Sequence, residues 1–142
     1  MNFTVSEEIA SPADRVWAVL ADVTDWPRWT PTVSSVRLLG DGGFGPDGSA
    51  EVRQPRLGRN VWRVTAFEPG RRFEWVATGP GVRTRGDHRL TPLGDGRTRA
   101  ELALETSGPL APLVDLLLGR LSRRYVTTEA ASLRRRCENG PA

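Results

Sequence analysis

The chain is poor in cysteine and histidine, two residues that enzymes often use for metal binding or covalent catalysis. Its 142 residues include one cysteine and one histidine, and the sequence contains no lysine. A lone Cys137 cannot form an internal disulfide, and a lone His88 cannot complete an H-x-H or H-E-x-x-H metal site. The G-x-S-x-G and C-x-x-C motifs are also missing. We therefore expect no metal ion, no cofactor and no standard nucleophilic mechanism.

Long apolar runs are missing as well, which predicts that the chain has no transmembrane helix. Residues 1–5 carry neither the basic flank nor the apolar core of a signal peptide, so a cytoplasmic location is the default expectation. All 20 basic residues are arginines, and the net charge of +3 gives only a weak electrostatic field. Because these arginines are scattered along the chain, we expect no nucleic-acid partner.

What the sequence does contain is a regular series of strand-like segments. Residues 2–9 read as a first strand, Ser11 and Pro12 signal the start of a helix, and a short second helix fits at Pro27–Trp29. Six further strand-like runs follow, at 33–39, 49–54, 61–67, 72–78, 82–91 and 98–106. The turns between them are too short for crossover helices, which predicts an antiparallel sheet.

Two hairpins predict which side chains share the inner face of this sheet. A two-residue loop at Pro69-Gly70 places Ala66 opposite Phe73 and Val64 opposite Trp75. The second hairpin is predicted to pair Leu90 with Ala100 and His88 with Leu102. The alternate positions are rich in Arg and Glu and are therefore expected to face water.

From Pro109 to about Glu138 the apolar period becomes helical. This segment predicts an amphipathic helix of about 28 residues, roughly 40 Å long. Its predicted inner stripe consists of Leu110, Leu113, Val114, Leu117, Leu121, Tyr125, Thr128 and Ser132. We expect one domain over residues 1–138 and a frayed tail at 139–142.

Several motifs in this order resemble a known family. They are SPADRVW and DWPRW near the N-terminus, EPG and GDGRTR in the turns, and the amphipathic C-terminal segment. Together they resemble the START/Bet v 1-like (SRPBCC) superfamily and, within it, the bacterial polyketide cyclase/dehydrase and lipid-transport proteins. The resemblance implies an α+β helix-grip fold, in which a seven-stranded antiparallel sheet wraps around a long C-terminal helix and two short helices follow the first strand. It also implies an internal cavity for a polyketide, aromatic or lipid-like ligand, with cyclase or dehydrase activity in some members.

The inner faces of the sheet and the helix predict the lining of such a cavity. The predicted ligand-binding residues are Trp29, Gln54, Trp62, Val64, Phe73, Trp75, Thr84, His88, Leu102, Leu104, Leu117, Leu121 and Tyr125. Any single aliphatic residue of this set can equally fill a solid core, whereas three large aromatic residues on one hairpin favour a pocket. Within the DWPRWTP stretch, we assign Trp26 to packing against the first helix and Trp29 to the cavity rim.

His88 has two readings, a hydrogen-bonded core histidine or the polar handle and general base of the pocket. Tyr125 is its natural partner, because a buried phenol needs a hydrogen bond and can donate one to an enolate oxygen. These two residues are therefore the candidate catalytic pair, although no motif identifies the chain as an enzyme. The alternative is a protein-interaction or chaperone-regulating module that uses the same fold without a small-molecule ligand.

Overall fold

The computed structural model describes residues 1–140. After strand β1 (Asn2–Ile9) come helix α1 (Ala13–Ala21) and a short 3₁₀ helix (Val23–Arg28). The remaining strands are β2 (Ser35–Leu39), β3 (Ser49–Gln54), β4 (Gly58–Glu68), β5 (Arg72–Gly79), β6 (Val82–Gly94) and β7 (Arg97–Ser107). The chain ends in a single long helix, α2 (Ala111–Asn139).

The seven strands form one antiparallel sheet in the order β1-β7-β6-β5-β4-β3-β2. Every neighbouring pair except β1 and β7 is consecutive in the chain, as expected for strands joined by short turns. The curved sheet holds α2 against its inner face, with α1 and the 3₁₀ helix beside one end of it. The predicted helix-grip fold is therefore confirmed.

The predicted register holds for one hairpin and shifts in the other. Leu90 pairs with Ala100 and His88 pairs with Leu102, as predicted for β6 and β7. In the β4–β5 hairpin Val64 pairs with Trp75, again as predicted, but Thr65 is an extra residue. Beyond this bulge Ala66 lies opposite Glu74, and Phe67 rather than Ala66 lies opposite Phe73. The expected Ala66–Phe73 pair was therefore wrong.

Three element boundaries also differ from the sequence-based expectation. Strand β2 begins at Ser35 rather than at Val33, because the residues before it form a turn. Helix α1 has Pro12 at its N-cap and no side-chain cap, so Ser11 does not play the capping role suggested by the sequence. Helix α2 continues to Asn139, one residue into the predicted tail, and residues 141–142 lie outside the described part of the chain.

The solid core lies where α1 and the 3₁₀ helix meet the sheet and the C-terminal half of α2. Its fully buried side chains include Ile9, Val16, Leu20, Phe73 and Leu133. Two contacts fasten this end: Arg15 Nε donates to the Cys137 carbonyl at 3.0 Å, and Arg136 pairs with Asp25 at 3.1 Å. The first half of α2 makes no such core and instead covers a cavity.

Within residues 1–140, no helix is both long and apolar enough to cross a membrane. The same part of the chain contains no group of three His, Cys, Asp or Glu side chains that could hold a metal ion.

Candidate functional site

A cavity of about 280 Å³ lies between the inner face of the sheet and α2. Its apolar wall includes Trp26, Val33, Val52, Leu57, Trp62, Trp75, Ala77, Val82, Leu102, Leu104, Val114, Leu118 and Val126. Its polar groups include Gln54, Asn60, Thr84, His88, Thr106, Asp115, Ser122, Tyr125 and Glu129. A mostly apolar wall with a few polar groups is typical of a small-molecule site.

Three indoles form one side of this cavity. The Trp75 ring lies 5.4 Å from Trp26 in an edge-on arrangement and 5.4 Å from Trp62 at a tilt of 34°. Gly86, on the neighbouring strand β6, makes this packing possible. A Cβ atom at this position would lie only 3.0 Å from Trp75 Nε1. The result is a broad aromatic wall whose ring planes are inclined to one another by 63° and 34°, so that it offers both ring edges and ring faces to a ligand.

His88 lies at the inner end of the cavity and is almost fully buried. Its ring stacks on Phe73 with a centroid distance of 4.1 Å and an interplanar angle of 14°, which fixes the imidazole plane. Nδ1 has no hydrogen-bond partner among residues 1–140. Nε2 faces Glu129 across the cavity, 3.6 Å from its Oε1 atom. His88 is thus a positioned imidazole whose nearest charged neighbour is a carboxylate.

Glu129 reaches this imidazole from α2. Its side chain is 13% exposed, and its Oε1 atom is buried without a hydrogen-bond partner in the described chain. Ser122 and Tyr125 precede it at helical spacing, so the three side chains form a polar track along the inner side of α2. A buried carboxylate that lacks a full set of hydrogen bonds is costly, and such groups are often functional.

Tyr125 closes the side of the cavity. Its hydroxyl donates to the Pro55 carbonyl at 2.5 Å, which joins the middle of α2 to the turn between β3 and β4. The hydroxyl proton is therefore already engaged. Tyr125 can serve as a donor to a ligand only if this bond breaks. Glu129, whose Oε1 atom lies 3.6 Å from His88 Nε2, is therefore the candidate partner of His88 in place of Tyr125.

The opposite end of the cavity carries a second carboxylate, Asp115. Burial opposes its charge, but hydrogen bonds from Thr106 and from the N-terminal ammonium outweigh burial and hold the pKa of this carboxyl below its usual range. The Thr106 bond is 2.7 Å long, and the ammonium of Met1 lies 3.0 Å from Asp115 Oδ2. The negative charge of Asp115 is therefore balanced by the Met1 ammonium and the Thr106 hydroxyl. By contrast, Oε1 of Glu129 has no hydrogen-bond partner among residues 1–140.

The family model described as "Polyketide cyclase / dehydrase and lipid transport" matches residues 1–138. The chain belongs to this family. A comparison with curated proteins finds no significant match.

Several solved structures share this fold at low sequence identity. The Zhui aromatase/cyclase from Streptomyces sp. R1128 is 20% identical, with a TM-score of 0.72 over 96% of this chain and 94% of that chain. A START superfamily protein from Mycobacterium smegmatis is 19% identical, with a TM-score of 0.72 over 97% of each chain. The protein XoxI from Bacillus cereus is 16% identical, with a TM-score of 0.77 over 96% of this chain and 94% of that chain. These likenesses support the helix-grip architecture alone.

The structure of this polyketide cyclase family member places eight of the predicted ligand-binding residues around the cavity. They are Gln54, Trp62, Trp75, Thr84, His88, Leu102, Leu104 and Tyr125. Their roles in binding remain predictions. Val64 and Phe73 lie in the solid core instead, because the sheet packs there against α1 and the 3₁₀ helix. Phe73 still affects the site through its stack on His88.

Of the two tryptophans of the DWPRW stretch, Trp26 packs against α1 as expected and also lines the cavity, whereas Trp29 does not lie where it was expected. Trp26 is 2% exposed, lines the cavity, and donates from Nε1 to the Leu20 carbonyl at 3.0 Å. Trp29 packs against the core from outside and does not line the cavity. The 3₁₀ helix turns Trp26 toward the sheet, where its ring contacts Trp75 in the cavity wall. The predicted rim position of Trp29 was therefore wrong.

The predicted stripe of α2 also needs correction. Leu117 is 70% exposed, and neither Leu117 nor Leu121 lines the cavity. Val114 and Tyr125 of the predicted stripe do line the cavity, and Leu118 and Ser122 line it in place of the other leucines. The stripe was predicted from the positions of the leucines, and some of these face solvent. Hydrophobicity alone does not distinguish a core face of a helix from an exposed apolar face.

The sequence-based prediction missed Glu129, Asp115 and Asn60. The signal for Glu129 was present, because it lies one helical turn after Tyr125 and therefore on the same face. Asn60 follows the β3–β4 turn, where no pattern distinguishes an inward amide from an outward one. Trp26 was recognised as buried, but not as part of the cavity wall.

Proposed function

We propose that this protein binds a planar, mostly apolar small molecule of the polyketide, aromatic or lipid-like class in the cavity. The observation that carries the proposal is the wall of three indoles with the His88–Glu129 pair at its inner end. The indoles supply aromatic contact surface, while the pair supplies an imidazole and a carboxylate at the inner end. Family membership supports the ligand class.

The size of the cavity narrows the ligand further. An apolar cavity of about 150 Å³ holds a benzene molecule. The cavity here has a volume of about 280 Å³. It therefore suits two or three fused rings, or a folded chain of similar bulk, rather than an extended lipid with two acyl chains.

The proposal includes proton transfer at His88, of the kind a cyclase or dehydrase needs. Nε2 takes a proton from the carbon next to a ligand carbonyl, and Glu129 stabilises the imidazolium that forms. In a dehydration, the imidazolium then returns that proton to the departing β-hydroxyl group, which leaves as water while the carbon–carbon double bond forms. The base is regenerated, so no external reactant is required.

Binding is tested by titrating naphthol, a hydroxyanthraquinone and palmitate against the intrinsic tryptophan fluorescence. Ligand binding should quench the tryptophan fluorescence of the wild-type protein. It should quench that of the Trp17→Phe variant to a similar extent, because Trp17 is not part of the cavity wall. The matched variant Trp62→Phe should lose much of the response. Absence of any response across these probes, in protein shown to be folded, would count against the proposal.

Proton transfer is tested separately with His88→Gln and Glu129→Gln. Both variants keep side chains of similar size, so ligand binding should change little. Turnover of a β-hydroxy carbonyl substrate, followed by mass spectrometry, should fall by about 10²-fold or more in each. Unchanged turnover in either variant removes that residue from the mechanism while leaving the binding proposal intact.

The alternative function is a protein-interaction module without a small-molecule ligand. An open cavity favours ligand binding over this alternative, since such a module has no need of an internal space. A stable protein partner combined with an unresponsive cavity would favour the module. The proposal also keeps the expected cytoplasmic location, which fractionation of host cells would test.

A further inference from the structure

The first half of α2 exposes an unusual number of leucines. Leu113, Leu116 and Leu117 are 52%, 81% and 70% exposed, and Leu110 just before the helix is 45% exposed. Single exposed leucines are common, but a contiguous group on one helix face indicates a surface that meets another apolar phase. We call these four residues the leucine tip.

The leucine tip lies at the end of the cavity that is away from His88. Leu110 donates its backbone N–H to the Gly81 carbonyl in the β5–β6 turn at 2.8 Å, so the tip and that turn form one edge of the molecule. Val82 from this turn and Leu118 from α2 line the cavity. His88, by contrast, lies six residues further along β6, about 20 Å from the turn. The tip therefore borders the end of the cavity that is far from His88.

Three arginines follow the leucines along the helix. Arg120, Arg123 and Arg124 are all exposed, and none of them forms an ion pair with a carboxylate of residues 1–140. Later arginines of the same helix behave differently, since Arg134 pairs with Glu7 and Arg136 pairs with Asp25. The three form an exposed cationic band beside the tip.

Negative charge is kept away from this surface. Between residues 111 and 128 the only acidic residue is Asp115. Its carboxylate turns inward to the N-terminal ammonium of Met1. No carboxylate of this helix segment therefore opposes the approach of an anionic surface.

We propose that the leucine tip and the cationic band dock this protein onto an anionic lipid bilayer. The order along the helix supports a bilayer as the partner. About 10 Å of helix separates Leu116 from Arg123, at 1.5 Å per residue, and interfacial helices bury their apolar face about 5–10 Å deep. The leucines would reach the acyl chains while the guanidinium groups remain among the phosphates.

Docking in this orientation brings this end of the cavity to the membrane surface, where it can serve as the entrance for a ligand. An apolar ligand then passes between bilayer and cavity without crossing bulk water, which lowers the desolvation barrier to exchange. The docking surface lies outside the cavity wall of indoles. The inference therefore stands independently of the ligand and of the chemistry proposed for His88.

The test measures flotation of the folded protein with two kinds of vesicle, phosphatidylcholine alone and phosphatidylcholine mixed with phosphatidylglycerol. Wild-type protein should float with the mixed vesicles and dissociate as salt rises. The triple variant Arg120→Gln/Arg123→Gln/Arg124→Gln should bind about two orders of magnitude more weakly, at about fivefold per arginine. Leu116→Ser/Leu117→Ser should lose at least tenfold.

A matched control removes three arginines at the other end of the sheet, with the variant Arg71→Gln/Arg89→Gln/Arg97→Gln. It changes the net charge equally and should keep most of the vesicle binding. Equal loss in both triple variants would show that net charge alone drives binding and would overturn the proposal. Failure of the wild-type protein to float, with a dimer in solution that Leu116→Ser/Leu117→Ser dissociates, would assign the tip to a second copy of the chain.

Discussion

Replacing Glu129 by leucine should make the protein more stable while removing its proposed chemistry. The carboxylate is 13% exposed, and its Oε1 atom is inaccessible to water and has no hydrogen-bond partner in the described chain. His88 Nε2 lies 3.6 Å from this oxygen, which is longer than a hydrogen bond. An unsatisfied buried polar atom costs about 1–3 kcal/mol, and leucine of similar volume removes that cost.

The expected gain is therefore about 1–3 kcal/mol in the free energy of unfolding, measured by urea denaturation near neutral pH. Glu105→Leu provides a matched control, because Glu105 lies on the outer face and pairs with Arg85 at 3.0 Å. Loss of a surface ion pair of this kind costs about 0–1 kcal/mol. The slope of the denaturation curve should stay the same in both variants, which would confirm that only stability has changed.

A decrease of more than about 1 kcal/mol in the free energy of unfolding of Glu129→Leu, with almost no change in that of Glu105→Leu, would refute this prediction. That result would mean that the carboxylate stabilises the fold. Its position beside His88 would then be structural. The expected result, higher stability with lost turnover, is the pattern of a group retained for function at the expense of stability.

Three further predictions follow from the same structure. Trp26→Ala should lower the free energy of unfolding by about 3–5 kcal/mol and also reduce ligand quenching, whereas Trp29→Ala should leave quenching unchanged; urea denaturation and the fluorescence titration measure the two effects. Burial raises the pKa of the Cys137 thiol to about 11, so the folded protein should react with a thiol reagent near pH 8 far more slowly than the urea-unfolded protein. The hydrogen bond from the Ala10 N–H lowers the pKa of Glu138, so its stabilisation is present above the usual Glu range and is lost as pH falls through the folded-state value. Glu138→Gln should therefore flatten the acid side of the stability-versus-pH curve, and an unchanged slope would rule out this contribution.

The sheet was predictable because its signals are local. Alternation with a period of two and the glycine-containing turns together place Val64 opposite Trp75 and His88 opposite Leu102, without reference to the rest of the chain. The bulge at Thr65 has no comparable signal, since threonine is an ordinary strand residue. Its presence depends on how β4 packs against distant elements.

The candidate site was less predictable because it depends on the orientation of helices. The stripe on α2 was placed from its leucines, yet Leu117 faces solvent and Glu129 faces the cavity. A single sequence does not show that an apolar helix face is left exposed. Similarly, a short helix could be expected near Pro27, but the sequence did not show which of its side chains would face the sheet. The 3₁₀ helix in fact turns Trp26 inward.

The extra residue at Thr65 allows one strand to serve two different packing environments. Val64 and Phe67 are three positions apart, so a regular strand would place them on opposite faces. With the bulge, both side chains point to the interior. The Phe67 ring packs edge-on against Trp17 of α1, with 5.6 Å between the ring centroids, as part of an aromatic cluster. The same cluster includes Phe44 and Phe73, which also contact Trp75 in the cavity wall at 6.0 and 5.3 Å. A substitution that reshapes this wall is therefore transmitted to the core, so the shape of the cavity is coupled to the stability of the fold.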